Sequence, residues 1–155
     1  MGIEMGLFRT NEKLEDQMQG LERFIEAQEQ HYQLALDEVQ AGKKQNHWIW
    51  YIFPQMYGLG HSCYANLYGI RDKMEAEDYL KHKILGKRLR EITMALLNHD
   101  GCSAEDIFGE LDAMKVRSCM TLFDIVCPDD IFDEVLNKFY DSKRCNLTIR
   151  MLSDM

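Results

Sequence analysis

LERFIEAQEQHYQLALDEVQAG, residues 21–42, decides the fold class. Leu21, Phe24, Ile25, Tyr32, Ala35, Leu36 and Val39 recur at three- and four-residue intervals, the spacing that lines one face of an α-helix. Gly42 stands where a left-handed residue closes such a helix. A half-buried strand alternates every second residue, and this run does not. Gln28 falls on the apolar face between Ile25 and Tyr32, so its amide needs a hydrogen-bond partner if that face is buried.

The same spacing recurs downstream. Leu85, Leu89, Ile92 and Leu96 step by four, three and four residues and predict a helix over residues 83–98, ended by Asp100-Gly101. Val116, Met120, Phe123 and Cys127 mark a helix halted by Pro128, while Phe132, Val135, Leu136 and Phe139 mark the next. Asn146 is placed to cap a terminal helix reaching Met151. Asp72-Lys-Met-Glu75 reads as a capping box that opens a helix through Leu80, and Ser103-Ala-Glu-Asp106 opens a brief turn to Phe108. His47 to Phe53 has no second strand candidate to pair with, so it is read as helical, capped by Asn46 and closed by Pro54. Residues 1–15 lack apolar periodicity and are expected to form a flexible N-terminal arm. The fold class is all-α: one compact multihelical domain over residues 16–155, with six to eight helices.

Length and composition agree. A chain of 155 residues suffices for one core. No apolar stretch approaches the roughly 20 residues that span a bilayer, so no membrane partner is expected. The first residues, MGIEMGLFRTNEKLEDQ, lack the apolar core and basic character of a targeting peptide, which implies a cytoplasmic location. The five cysteines are widely spaced without a C-x-x-C pair, and no H-x-x-x-H or E-x-x-H pair appears, so neither a metal site nor a disulfide framework is expected. The net charge of −8 argues against nucleic acid as a partner. That charge is uneven: residues 43–88 hold eight basic and four acidic side chains, +4, leaving −12 elsewhere.

The basic third contains HWIWYIFPQMYGLGHSCYANLY, residues 47–68, with seven of the sixteen aromatics and both tryptophans. A long irregular segment of this kind inside a compact domain points to function, and its aromatic content argues against disorder. Trp48, Ile49, Ile52 and Phe53 read as core, leaving Trp50 and Tyr51 to face the following loop. Gly58 and Gly60 permit either a tight turn or close approach of a ligand to the backbone, while Gln55, Ser62 and Tyr68 offer donors and acceptors at its edges. His47 and His61 are the candidate acid or base. Arg88, and Lys115 with Arg117, are the candidate cations for an anionic ligand. No glycine pair here follows a strand, so no dinucleotide fingerprint or P-loop is present, and no cofactor is expected.

The ordered blocks NHWIWYIFPQMYGLGHSCYANLYGI, EAEDYLKHKILGKRLREITMALL, SAEDIFG and KVRSCMTLF resemble the bacterial and fungal family named as domain of unknown function 1810. The resemblance covers about residues 21–150 and implies a compact multihelical domain, without implying a reaction. Lys83 stands where the family often has proline, and Cys119 where serine is usual, which argues against an essential hydroxyl at Cys119. The name calpastatin, carried by some relatives, does not suit a sequence with core stripes and no repeats.

The expectation is therefore a pocket around residues 47–68 for a small aromatic anion, such as a nucleotide or an ADP-ribose-like metabolite. Trp50, Gln55, Gly58, Gly60, Ser62 and Tyr68 are its candidate ligand contacts, with Arg88 and Lys115 supplying charge. Any chemistry there would be metal-independent hydrolysis or group transfer through His47 or His61. The alternative is a protein-interaction module without catalytic activity, and self-association is an open variant of it.

Overall fold

The apolar stripe that opens at Leu21 becomes α1, Glu22–Ala41, in the computed structural model, which describes residues 20–155. Phe24, Ala35 and Val39 are fully buried along it. Gly42 ends the helix at φ +81°, a backbone state that strains any side chain with a Cβ. Gln28 has the partners its position demands: its amide donates to the Tyr51 carbonyl at 2.7 Å and the Tyr79 hydroxyl at 3.0 Å.

Eight further helices follow among the described residues. They are α2 Ile49–Ile52, α3 Cys63–Tyr68, α4 Lys73–Lys81, α5 Leu85–Leu97, α6 Ala104–Phe108, α7 Glu110–Val126, α8 Ile131–Phe139 and α9 Asn146–Ser153. No strand forms among these residues, where one isolated bridge joins Met56 to Ile70. The domain is all-α, with one helix beyond the expected six to eight. That helix is α3, which carries no apolar stripe for periodicity to detect and is started by Ser62 Oγ accepting the Ala65 N–H at 3.1 Å. The arm expected for residues 1–15 lies outside the described residues.

Several local expectations are corrected. Asn46 does not cap α2; its side chain turns back to Glu38 on α1. Asn146 is the first helical residue of α9, and Cys145 occupies the cap without a side-chain bond. At α4, Asp72 accepts the Glu75 N–H at 2.8 Å, but the Glu75 carboxylate serves the Arg71 N–H at 3.0 Å, so the box is not reciprocal. Helix α7 begins at Glu110, six residues ahead of Val116, where the apolar stripe starts, because its opening turns carry only the small Ala113 into the core and are otherwise partly exposed. Tyr51 is buried at 5% exposure instead of facing the loop.

Helix α1 packs on α5 and α2, and α8 packs on α5 and α7, which places the core between them. Trp48, Phe53 and Phe108 form one edge-to-face cluster there, with Phe53 and Phe108 centroids 5.6 Å apart. Phe123 and Phe132 form a separate pair, tilted at 40° with centroids 5.7 Å apart. Full burial of each such ring contributes about 1.5–3 kcal/mol.

One buried carboxylate fixes how the aromatic run enters this core. Glu38, 8% exposed on the last turn of α1, accepts the N–H groups of Gln45 at 2.7 Å and Asn46 at 3.0 Å. It also accepts the Asn46 amide and, at 2.9 Å, the Trp48 indole N–H. Burial pushes the Glu38 carboxyl up, but the donors from Asn46, Gln45 and Trp48 outweigh it and hold the group below its usual range. A folded value below the unfolded one means that this stabilisation is complete above the ordinary carboxylate range and is lost as pH falls through the lowered value. Glu38→Ala, which strands these donors, is expected to cost about 3 kcal/mol. In urea midpoints measured against pH, Glu38→Gln should flatten the acid limb; an acid limb parallel to that of the wild type would refute the assignment.

Candidate ligand-binding site

Two polar anchors bring the aromatic run onto α1. Glu38 holds residues 45–48 at the C-terminal end of the helix. Near its N-terminal end the Arg23 guanidinium, 4% exposed, donates to the Leu67 and Gly69 carbonyls at 2.8 Å each and pairs with Glu75 at 2.9 Å. The end of α3 is thereby fixed, and Tyr68 with it.

Between these anchors His47, Trp50 and Tyr68 gather with Glu26, His31 and Tyr51 around an open cleft of about 590 Å³. Trp50 stacks on Tyr64 with centroids 4.8 Å apart at 29°. Tyr64 and Tyr68, one turn apart on α3, lie nearly parallel at 13° and 6.5 Å. The Tyr51 hydroxyl reaches His31 Nδ1 at 2.8 Å. Burial, with help from the neighbouring Tyr68 and Tyr64, pushes the Tyr51 phenol up to about 12, so it keeps its proton at neutral pH. Burial likewise raises Tyr68.

A second cleft, of about 630 Å³, runs alongside between α7, the start of α9 and the Gln55–Gly60 segment. Gln55, Gly60 and Lys115 line it, with Arg117, Lys143 and Cys145. The Lys115 ammonium stands 5.6 Å from the centre of the Trp50 ring, so this cation–π pair divides the two clefts. In the wall, Ser118 Oγ lies 3.3 Å from Cys145 Sγ. Burial raises the Cys145 thiol, but donation from Ser118 and the first amides of α9 outweighs it and leaves the group below its usual value.

The candidates read from sequence thus divide. His47, Trp50 and Tyr68 face the aromatic cleft; Gln55, Gly60 and Lys115 face the second. His61 is exposed and lines neither, and Ser62 is occupied as the cap of α3. Gly58, at φ +99°, serves the turn, while a Cβ on Gly60 would come within 2.8 Å of the Ala65 Cβ, which accounts for glycine there by packing. Arg88 lies apart, over the Tyr32 ring at 5.2 Å and 3.4 Å from Glu29, in a groove shared with Lys83 and Lys87. The structure adds Glu26, His31, Tyr64, Lys143 and Cys145. His31 was detectable in principle as a titratable residue flanking the α1 stripe, but Lys143 and Cys145 sit in a connection that carries no periodic signal.

Among the described residues no three His, Cys, Asp or Glu side chains cluster so as to hold a metal ion, and all five cysteines are free. No helix of the described residues is long and apolar enough to cross a membrane.

Comparison with known proteins places the chain. The conserved hypothetical protein Rv1873 from Mycobacterium tuberculosis has a similar crystal structure, with a TM-score of 0.84 and 40% sequence identity over 86% of this chain and 96% of that one. No curated protein matches significantly. The family model described as "Protein of unknown function (DUF1810)" matches residues 18–152, nearly the whole described structure, and the chain belongs to that family.

Proposed function

We propose that this is a cytoplasmic small-molecule-binding protein whose ligand presents a flat ring to the aromatic cleft and carries negative charge, as nucleotides and ADP-ribose-like metabolites do. The observation that carries the reading is the Trp50–Tyr64–Tyr68 series of rings, opening onto a cleft of about 590 Å³ beside the Lys115 ammonium. Stacking on such rings contributes about 0.5–1.5 kcal/mol per pair beyond area burial. His31, held by the Tyr51 hydroxyl, and His47 at the exposed mouth are the titratable groups suited to moving a proton; a reaction there would be metal-independent hydrolysis or group transfer. The second reading, a protein-interaction module, is favoured by Leu111, Met114 and Leu147, which are 75%, 54% and 54% exposed on the rim of the neighbouring cleft. A concentration-independent monomer in light scattering that captures no partner eliminates that second reading.

In a thermal-shift screen of nucleosides and nucleotides, a ligand at about 100 times its Kd adds about 2.7 kcal/mol, and a shift of several degrees is expected. Trp50→Ala should abolish that shift, as should Tyr64→Ala, whose side chain is exposed and whose loss spares the core. A wild type that none of these compounds stabilises would sink the proposal.

The Tyr51–His31 pair makes its own prediction. The phenol keeps its proton and lies 2.8 Å from Nδ1 but 3.5 Å from its other acceptor, the His47 carbonyl, so it should donate to Nδ1 and neutral His31 should carry its hydrogen on Nε2. Long-range proton–nitrogen NMR reads this tautomer directly, and Tyr51→Phe should mix the two forms. A wild-type His31 with hydrogen on Nδ1 is incompatible with the assignment.

A further inference from the structure

The second cleft has the charge of an anion site. Its wall carries Lys115, Arg117, Lys143 and Arg144 and no carboxylate, in a chain whose net charge is −8. Two of these cations have carboxylate partners: Lys115 pairs at 3.2 Å with Asp112, which it shares with Lys44, and Arg144 pairs with Asp133 and, at 3.5 Å, Asp124. Arg117 and Lys143 have no ion-pair partner among the described residues. The Arg117 Nε is, in addition, buried without an acceptor. A buried donor in that state is costly until an acceptor arrives.

The chemistry of the missing acceptor follows from the charge. Two uncompensated cations match a phosphoryl group, which carries about −1.5 to −2 at neutral pH, better than they match a single carboxylate. The planar guanidinium fork suits phosphate oxygens. Leu59, Leu111, Met114 and Leu147 add apolar surface beside the cations, and Gln55, Ser118 and Asn146 add polar groups. We propose that this cleft is a phosphate-ester site held by Arg117 and Lys143, receiving the anionic end of a ligand whose ring lies across the Trp50–Lys115 border. Joining the anion to a ring rests on the proposed function of the aromatic cleft; the anion site itself does not.

Calorimetric titrations with inorganic pyrophosphate, adenosine and adenosine monophosphate separate the two clefts. Pyrophosphate should bind the wild type and weaken with rising salt. Arg117→Ala should weaken it about tenfold or more, the loss expected for a charge-assisted contact. Lys143→Ala, at an exposed position that leaves folding intact, should weaken it in the same direction. Arg88→Ala, in a groove apart from both clefts, should leave pyrophosphate binding unchanged. Adenosine should respond to Trp50→Ala alone, and the monophosphate to both sets. The anion site is overturned if pyrophosphate does not bind, if acetate competes with it equally, or if Lys143→Ala and a folded Arg117→Ala bind it as the wild type does. A wild type that binds pyrophosphate but not adenosine would overturn the aromatic cleft and leave the anion site standing.

Discussion

A single buried carboxylate organises this molecule. Glu38, on the last turn of α1, gathers around itself the Gln45 and Asn46 amides and the Trp48 indole, seven to ten residues further along the chain. Without those acceptors the chain between α1 and α2 would have to bury donors unpaired, and the largest side chain of the core could not enter at 1% exposure. Lys44 reinforces the turn, pairing with Asp112 of α7 at 2.7 Å while its ammonium lies 4.9 Å from the Trp48 ring. The direction in which residues 47–53 leave α1 is therefore fixed by polar contacts, and the apolar packing follows from it.

The candidate site inherits that direction. Once Trp48, Ile49, Ile52 and Phe53 are committed to the core, the remaining face of α2 presents Trp50 outward, and the Arg23 clamp on residues 67–69 lays Tyr64 and Tyr68 beside it. The buried backbone of the aromatic run is thus structural, and only its rim is available to a ligand. The same packing brings α7 and the connection before α9 against Gln55 and Gly60, so that the aromatic surface and the cationic surface share Trp50 and Lys115 as a common edge.

Much of the fold was legible in the sequence because its signals are local. The stripe of α1, the glycine that ends it, the capping box at Ser103 and the breaks at Pro54 and Pro128 each depend on side chains within a turn or two of one another. Misreadings arose where a polar side chain had a distant alternative. Asn46 has the chemistry of a cap but is claimed by Glu38, and α3 is held together by Ser62 and Arg23 without an apolar stripe to announce it. The candidate site was half legible: His47, Trp50 and Tyr68 do meet, whereas Arg88, which sequence grouped with them, stands in another groove.

By itself, then, the sequence determined the helical class, the family, most helix positions and the segment that carries exposed aromatics, since each is encoded by spacing along one stretch of chain. Tertiary structure decided which cations stand beside those aromatics and how the site divides. Lys115, Arg117, Lys143 and Cys145 come from two segments some 30 residues apart in the chain, and charges so placed share a cleft only after α7 and α9 have packed. Electrostatic attraction acts through space, over a few ångströms, and no one-dimensional pattern records which residues the fold will bring within that distance.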